Sequence, residues 1–195
     1  MKLAFILASS SPFRQQLLKK IIPEFTHFSP DIDETPEHNE APEVLVRRLA
    51  LAKANAAHQH YNKGIVIGSD QVAVHQGDIL GKPHTVARAQ QQLARFSGDE
   101  VTFLTSLALL DLETDKTQVV VEPFTVQFRT LSEQQIANYI AKEQPLNCAG
   151  SFKSEGLGVC LFARMQGNDA NSLIGLPLLQ LNTMLLNWQI DPLAL

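Results

Sequence analysis

Apolar and polar positions change rhythm along this chain, and the changes mark out its elements. Residues 3–8 are apolar without alternation, the pattern of a strand buried on both faces. Pro12 then opens a helix over 12–21, which Pro23 ends, and a short strand follows near 25–28. Val44, Leu45, Leu49 and Ala52 fall at helical spacing and predict a helix over 42–60. Residues 64–75, GIVIGSDQVAVH, return to strand character around a polar centre. Gly77-Asp78 turns into Ile79 and Leu80, a helix over 85–96 stops at Gly98, and runs 100–112 and 117–129 form a long antiparallel hairpin. Ser132 caps a helix to about 142. A strand is expected around 159–163, and a last helix over 172–188 whose first turn Gly175 and Pro177 make irregular. Strands and helices alternate in the first half and antiparallel strands join in the second. The expected fold class is therefore mixed α/β (α+β), with a central mixed sheet flanked by helices. No repeat or low-complexity tract interrupts it.

The junction LAFILASSSPFR, residues 3–14, runs a buried strand through a polar turn into a helix. Helix N-termini carry unpaired N–H groups and a positive dipole end, so Ser9, Ser10, Ser11 and Arg14 form a candidate phosphate cradle. The plainer reading is that the serines only cap the helix.

Composition narrows the choices. The 195 residues suffice for one sizeable domain or two small lobes, and 45% hydrophobic with 18% charged residues is an ordinary globular balance. A net charge of -4 argues against a nucleic acid polymer as partner, but not against a small anion met by a few local cations. Cys148 and Cys160 match no zinc or redox spacing and are expected as reduced thiols. The apolar start is too short for a secretory signal, and no run is long enough to span a bilayer, so the expectation is a cytoplasmic protein with no membrane partner.

Candidate chemistry centres on Asp70, a carboxylate between Ser69 and Gln71 inside an otherwise apolar strand. An unpaired buried charge is costly, so such an Asp faces a cleft, a metal or a cation, unless a bulge turns it to solvent. Arg14, Lys53 and Lys82 could together neutralise a polyphosphate, although each alone reads as a surface charge. Gly81-Lys82 is followed by proline, so no Walker A loop is present. The loop PDIDETPEHNEAP, residues 30–42, is acidic; its Glu34 with Asp70 makes a carboxylate pair of the kind that holds Mg²⁺ or Mn²⁺. Glu155, between Ser154 and Gly156, could accept hydrogen bonds from a base, and Phe13 could stack on one. A solvated loop and a core phenylalanine are the alternatives.

Seven short motifs occur in order: Ser9–Arg14, Asp31–Thr35, Lys53, Gly68–Val72, Gly81–Pro83, Ala149-Gly150 with Glu155-Gly156, and Gly175–Pro177. In this the chain resembles the Maf-like nucleotide pyrophosphatases over essentially its whole length, as one domain spanning 1–195. Ser69-Asp70-Gln71 and the run Ala149 to Glu155 resemble the bacterial branch that acts on 7-methyl-GTP; the branch acting on dTTP and UTP typically has Ala-Asp-Thr where this chain has Ser-Asp-Gln. The resemblance implies a two-lobed Maf/ITPase-like fold with a central active-site cleft. It also implies a small-molecule nucleotide substrate, a divalent metal cation, Mg²⁺ or Mn²⁺, and a homodimer as a common assembly. It makes Asp70 the proton acceptor and places Phe13, Gln71 and Glu155 where base preference is set. Ser9, Arg14, Lys53 and Lys82 match phosphate-site positions, with Glu34 and Asp70 at the metal. The expected reaction is hydrolysis of 7-methyl-GTP to 7-methyl-GMP and diphosphate. The rival expectations are a pyrophosphatase for pyrimidine or inosine-type triphosphates and a non-catalytic nucleotide-binding regulator of septum formation.

Overall fold

Strand order follows from which segments can be buried on both faces. In the computed structural model, which describes residues 3–195, seven strands are ordered β2-β1-β3-β5-β6-β7, with β4 paired to β3. Met1 and Lys2, the polar head of the signal-like start, lie outside the described residues. The strands are β1 Phe5–Ala8, β2 Thr26–Phe28, β3 Ile65–His75, β4 Asp78–Leu80, β5 Glu100–Asp111, β6 Thr117–Phe128 and β7 Phe162–Gly167. The helices are α1 Pro12–Leu18, α2 Pro42–Asn55, α3 Val86–Phe96, α4 Glu133–Glu143, α5 Asn171–Ile174 and α6 Leu178–Asn187. The sheet is mixed: β1 pairs in parallel with β2 and β3, whereas β4 on β3 and β7 on β6 are antiparallel. The expected mixed α/β class is what the chain forms.

The chain divides into two compact units. The first comprises residues 1–70, 105–122 and 169–195; the second comprises 71–104 and 123–168. In the first unit the apolar runs split by parity. Phe5, Leu7, Ile65, Ile67, Leu107 and Leu109 face Leu17 and Leu18 of α1 and Leu181, Met184 and Leu185 of α6. Their neighbours Ile6, Ala8, Val66, Ala108 and Leu110 face Ala50, Ala54 and Ala57 on the other side. Both faces are covered, which is why these strands show no alternation. The small residues on α2 let it approach β3 closely. At Gly68 a Cβ would lie 2.3 Å from the Ala50 carbonyl oxygen and 3.0 Å from the Ala54 nitrogen.

The second unit holds the β3–β4 hairpin, paired from Ala73↔Leu80 to His75↔Asp78. Its two turn residues, Gln76 and Gly77, both have positive φ, 51° and 89°, matching the right-handed twist of the flanking strands. An aromatic cluster of Phe96, Phe103, Phe128, Phe152 and Phe162 forms its core, with edge-to-face centroid spacings such as 5.1 Å for Phe103–Phe152 and 4.9 Å for Phe152–Phe162. Ser132 caps α4 in a reciprocal box with Gln135.

Four expectations need correction. The helix expected over 12–21 ends at Leu18, and that over 42–60 gives way after Asn55 to a 3-10 turn over Ala56–Gln59. The strand expected around 159–163 starts at Phe162. Before it, Leu157–Leu161 is a 3-10 turn, folded back because the Gly158 N–H donates to the Lys153 carbonyl at 3.0 Å. The helix expected over 172–188 is two helices. Gly175, at φ 117°, ends α5 in the left-handed region, and α6 restarts after Pro177.

Candidate active site

In the first unit, three elements bring charge to one point. Lys53 lies in the last turn of α2 and Asp70 at residue six of β3; the close α2–β3 contact at Gly68 puts them side by side. The Lys53 Nζ donates to Asp70 Oδ1 at 2.6 Å, and both side chains are buried. A buried charge needs such a partner, and this pair supplies it. Glu34 approaches the same ammonium from the loop before α2, its Oε1 2.7 Å from Nζ, with its side chain 55% exposed. Lys53 thus has one inner and one outer carboxylate.

The loop carrying Glu34 is held by hydrogen bonds rather than by regular structure. The Thr35 N–H donates to Asp33 Oδ1 at 2.8 Å. Arg48 of α2 donates to both carboxylate oxygens of Glu40, at 2.7 Å each, and to the Thr35 carbonyl at 3.1 Å. This two-pronged pairing pushes the Glu40 carboxyl down to about 2. A depressed carboxyl pKa stabilises the fold above the ordinary value and loses that contribution as pH falls through the folded value. The melting-temperature gap between wild type and Glu40→Gln is therefore expected to stay constant from pH 7 to about 5 and to close as pH falls toward 2. A gap that closed between pH 7 and 6 would remove this pairing as its source.

Ser9 is buried at the end of β1 and accepts from the Ser11 N–H at 3.2 Å; Ser11 caps α1, accepting from the Arg14 N–H at 3.4 Å. So two of the three serines do act as local hydrogen-bond partners for the turn. Phe13 is half-buried on α1. Arg14 reaches the same region as the carboxylates. Burial lowers the pKa of its guanidinium, while the charges of Asp70 and Glu34 raise it. Its Nε donates to the Gly175 carbonyl at 2.8 Å, and the buried Ser69 hydroxyl donates to that same oxygen at 2.9 Å. The left-handed Gly175 that breaks the C-terminal helix therefore turns its carbonyl onto Arg14. A Cβ there would meet Arg14 Nε at 3.2 Å. The segment is itself anchored by Asp169, whose carboxylate accepts from the N–H groups of Asn171 at 2.9 Å and Leu179 at 2.8 Å.

Glu34 and Asp70 could hold a divalent cation. Among the described residues no group of three or more His, Cys, Asp or Glu converges in a way that would hold a metal. Glu34 and Asp70 meet on the Lys53 ammonium, and carboxylates brought this close suit a hard cation of the Mg²⁺ type, which takes one or two carboxylates and completes its shell with water and substrate phosphates. Charge supports the fit. Arg14 and Lys53 are balanced by Glu34 and Asp70, so this cluster has no surplus positive charge with which to meet a polyphosphate.

The second unit carries the remaining candidates. Gln71 is half-buried on β3. Lys82 is exposed after β4, in a turn whose Gly81 carbonyl accepts from Gln92 at 3.2 Å. Glu155 is exposed, with the Ser154 hydroxyl 3.5 Å from its Oε2. Glu155 and Lys82 both act on the Cys148 thiol, which burial pushes up; Glu155 adds to the rise, and Lys153 and Lys82 oppose it. Lys153 is fixed by α4: its Nζ donates to the Glu143 carbonyl at 2.7 Å and its N–H to the Tyr139 hydroxyl at 3.0 Å. Glu143 also accepts from the Leu157 N–H at 2.8 Å, which shapes the loop bearing Glu155.

Direct contact therefore joins Glu34, Lys53 and Asp70, electrostatics adds Arg14, and Lys82 and Glu155 share the surroundings of Cys148. Two partners escaped the sequence reading, the Gly175 carbonyl and Ser106. Gly175-Leu176-Pro177 stood out as a motif without a role. Ser106 had one available signal: Thr105-Ser106 interrupts an apolar strand, and both side chains are fully buried.

The sequence of residues 4–188 matches the family described as Maf-like protein. The chain belongs to that family. It is 54% identical over 194 residues to the 7-methyl-GTP pyrophosphatase of Pseudoalteromonas translucida, covering 100% of this chain and 96% of that one. It is 56% identical over 186 residues to the protein of the same name in Pseudomonas aeruginosa, covering 95% and 97%. Among solved structures, a HAM1 protein from Coxiella burnetii superposes with a TM-score of 0.54 at 18% identity, covering 95% of this chain and 100% of that one. The Staphylococcus aureus Ham1 protein gives 0.50 at 17%, covering 93% and 98%. These two likenesses concern the fold alone. No helix among the described residues is long and apolar enough to cross a membrane.

Proposed function

We propose that the protein hydrolyses the α–β phosphoanhydride of 7-methyl-GTP, releasing 7-methyl-GMP and diphosphate. The observation that carries the reaction type is the buried Asp70 carboxylate held at 2.6 Å by Lys53, a candidate base whose position is fixed. The substrate rests on the relatives, which are 52–56% identical over nearly the full chain and bear that activity in their names.

Asp70 orients a water molecule and accepts its proton as the water oxygen attacks the α-phosphorus. The bond from that phosphorus to the bridging oxygen breaks, and diphosphate leaves with the electron pair. Lys53 holds the carboxylate through one oxygen and leaves the other to the water. Arg14, its Nε engaged by the Gly175 carbonyl, keeps its terminal nitrogens for phosphate oxygens. The family resemblance gives Lys82 as a further phosphate-site residue. A divalent cation held by Glu34 and Asp70 would supply the positive charge that this balanced cluster lacks and would raise the acidity of water bound to it.

Base choice follows from charge. Methylation at N7 leaves the guanine ring cationic. A carboxylate at Glu155 favours that cation, Phe13 offers a face for cation–π stacking, and Gln71 offers amide hydrogen bonds. Glu155→Gln is expected to lower the kcat/KM ratio of 7-methyl-GTP over GTP by about tenfold, while changing the GTP rate little. An equal loss on both nucleotides would remove Glu155 from base selection.

The test of the whole reading is a diphosphate-release assay across a panel of triphosphates with Mg²⁺ or Mn²⁺: 7-methyl-GTP, GTP, inosine triphosphate, dTTP and UTP. The expected result is highest kcat/KM on 7-methyl-GTP. Preference for dTTP, UTP or the inosine nucleotide would replace the substrate, and binding without release would replace the enzyme by a nucleotide-responsive regulator.

A further inference from the structure

The Asp70 carboxylate is placed by its backbone, and the backbone of Asp70 is tied to an unexpected partner. Ser106 of β5 is fully buried, with its hydroxyl between β3 and α2. Its Oγ lies 2.5 Å from the Val46 carbonyl oxygen and 3.3 Å from both the Asp70 nitrogen and the Asp70 carbonyl oxygen. A hydroxyl has one proton and two lone pairs. The short contact takes the proton, so Ser106 donates to Val46 and accepts from the Asp70 N–H. Val46 and Lys53 are seven residues apart on α2, two turns along one face, about 10.5 Å. The hydrogen bonds therefore close a circuit: Asp70 backbone to Ser106, Ser106 to α2, α2 to Lys53, and Lys53 back to the Asp70 carboxylate.

We propose that Ser106 is a positioning residue for Asp70, fixing the distance between β3 and α2 that sets the Asp70–Lys53 geometry. It does not touch substrate. The inference rests on the reading of Asp70 as the base. Alanine at this position removes both hydrogen bonds at a point where no water competes, so the Asp70 peptide loses its tether and the carboxylate drifts from the water it orients. Misplacement of about 1 Å in a catalytic group costs on the order of 10²-fold in rate. Substrate affinity is left nearly unchanged, because Arg14 is seated by the Gly175 carbonyl rather than by Ser106.

The experiment compares Ser106→Ala, Ser106→Thr and Leu109→Ala. Leu109 lies on the same strand, with its side chain in the hydrophobic core beneath α6. All three are assayed well below their melting temperatures, with hydrogen exchange at the Asp70 amide measured by NMR. For Ser106→Ala the expected result is a kcat lowered roughly 10–100-fold, a KM within about twofold of wild type, and exchange protection at Asp70 lost. Ser106→Thr keeps the hydroxyl while crowding a filled site, so it should melt lower than the alanine variant yet turn over faster. Leu109→Ala should lose stability and keep kcat. A kcat that follows melting temperature across the three variants overturns the proposal, as does an Asp70 amide equally protected in Ser106→Ala. Should the wild type release no diphosphate from any triphosphate, the reading of Asp70 as the base fails, while the amide measurement still decides whether Ser106 holds its backbone. If Ser106→Thr does not fold, the alanine variant and the amide measurement suffice.

Discussion

Asp70→Asn is expected to lower diphosphate release by at least 10²–10⁴-fold, about the contribution of a positioned general base, while the chain still folds. The asparagine amide matches the carboxylate in shape and can still accept from Lys53, so the packing of β3 survives. It cannot take a proton from water. Breaking a buried ion pair by removing one partner commonly costs about 3–5 kcal/mol. Here the cost should be smaller, because Glu34 remains 2.7 Å from the same ammonium. The measurement is kcat by a coupled diphosphate assay beside a thermal melt. Turnover near the wild-type level would take Asp70 out of the reaction, and complete unfolding would mean that Glu34 gives no compensation.

Gly68→Ala is expected to damage stability and catalysis together. The added methyl would lie 2.3 Å from the Ala50 carbonyl oxygen and 3.1 Å from the Ala54 Cβ, backbone and short side chain that cannot swing away. Helix α2 must then retreat from β3 by about 1 Å to restore van der Waals contact. Overpacking of this kind costs about 1–3 kcal/mol. The same retreat carries Lys53 away from Asp70, so rate should fall by on the order of 10²-fold at temperatures where the variant is folded. Urea denaturation with a parallel kcat measurement checks both. Gly81→Ala is the comparison for stability: no atom lies within 4 Å of its Cβ, and its urea midpoint should not move. If Gly68→Ala behaved like Gly81→Ala, the tight contact between α2 and β3 would not be what seats the Lys53–Asp70 pair.

The central charge was legible because apolar strands do not carry a carboxylate without reason. Asp70 stood out in GIVIGSDQVAVH, and it is buried as that pattern requires. Lys53 was legible as a cation on a half-apolar helix, but its pairing with Asp70 depends on how α2 lies on β3, which a linear pattern does not encode. The Gly175 carbonyl was illegible for a more basic reason. Every residue has a carbonyl, and only the left-handed turn at φ 117° aims this one at Arg14. The run Phe162–Gly167 was misread because its strand is nearly all exposed, so no apolar face alternates with a polar one. The long C-terminal helix was misread because Leu173, Leu176, Leu178 and Leu181 keep burying the chain across the break and mask it.

Arg14 and its acceptor Gly175 are 161 positions apart. Arg14 is therefore synthesised long before the backbone oxygen it donates to. Arg14 cannot be seated until Gly175 has been made, however early β1 and α1 are available. A chain ending before Asp169 would carry Asp70, Lys53 and the serine turn, yet would leave Arg14 without the backbone oxygen it donates to. Long-range closures of this kind slow folding. If Arg14 serves the proposed cleavage, chains cut short before Gly175 should be inert fragments rather than leaky hydrolases.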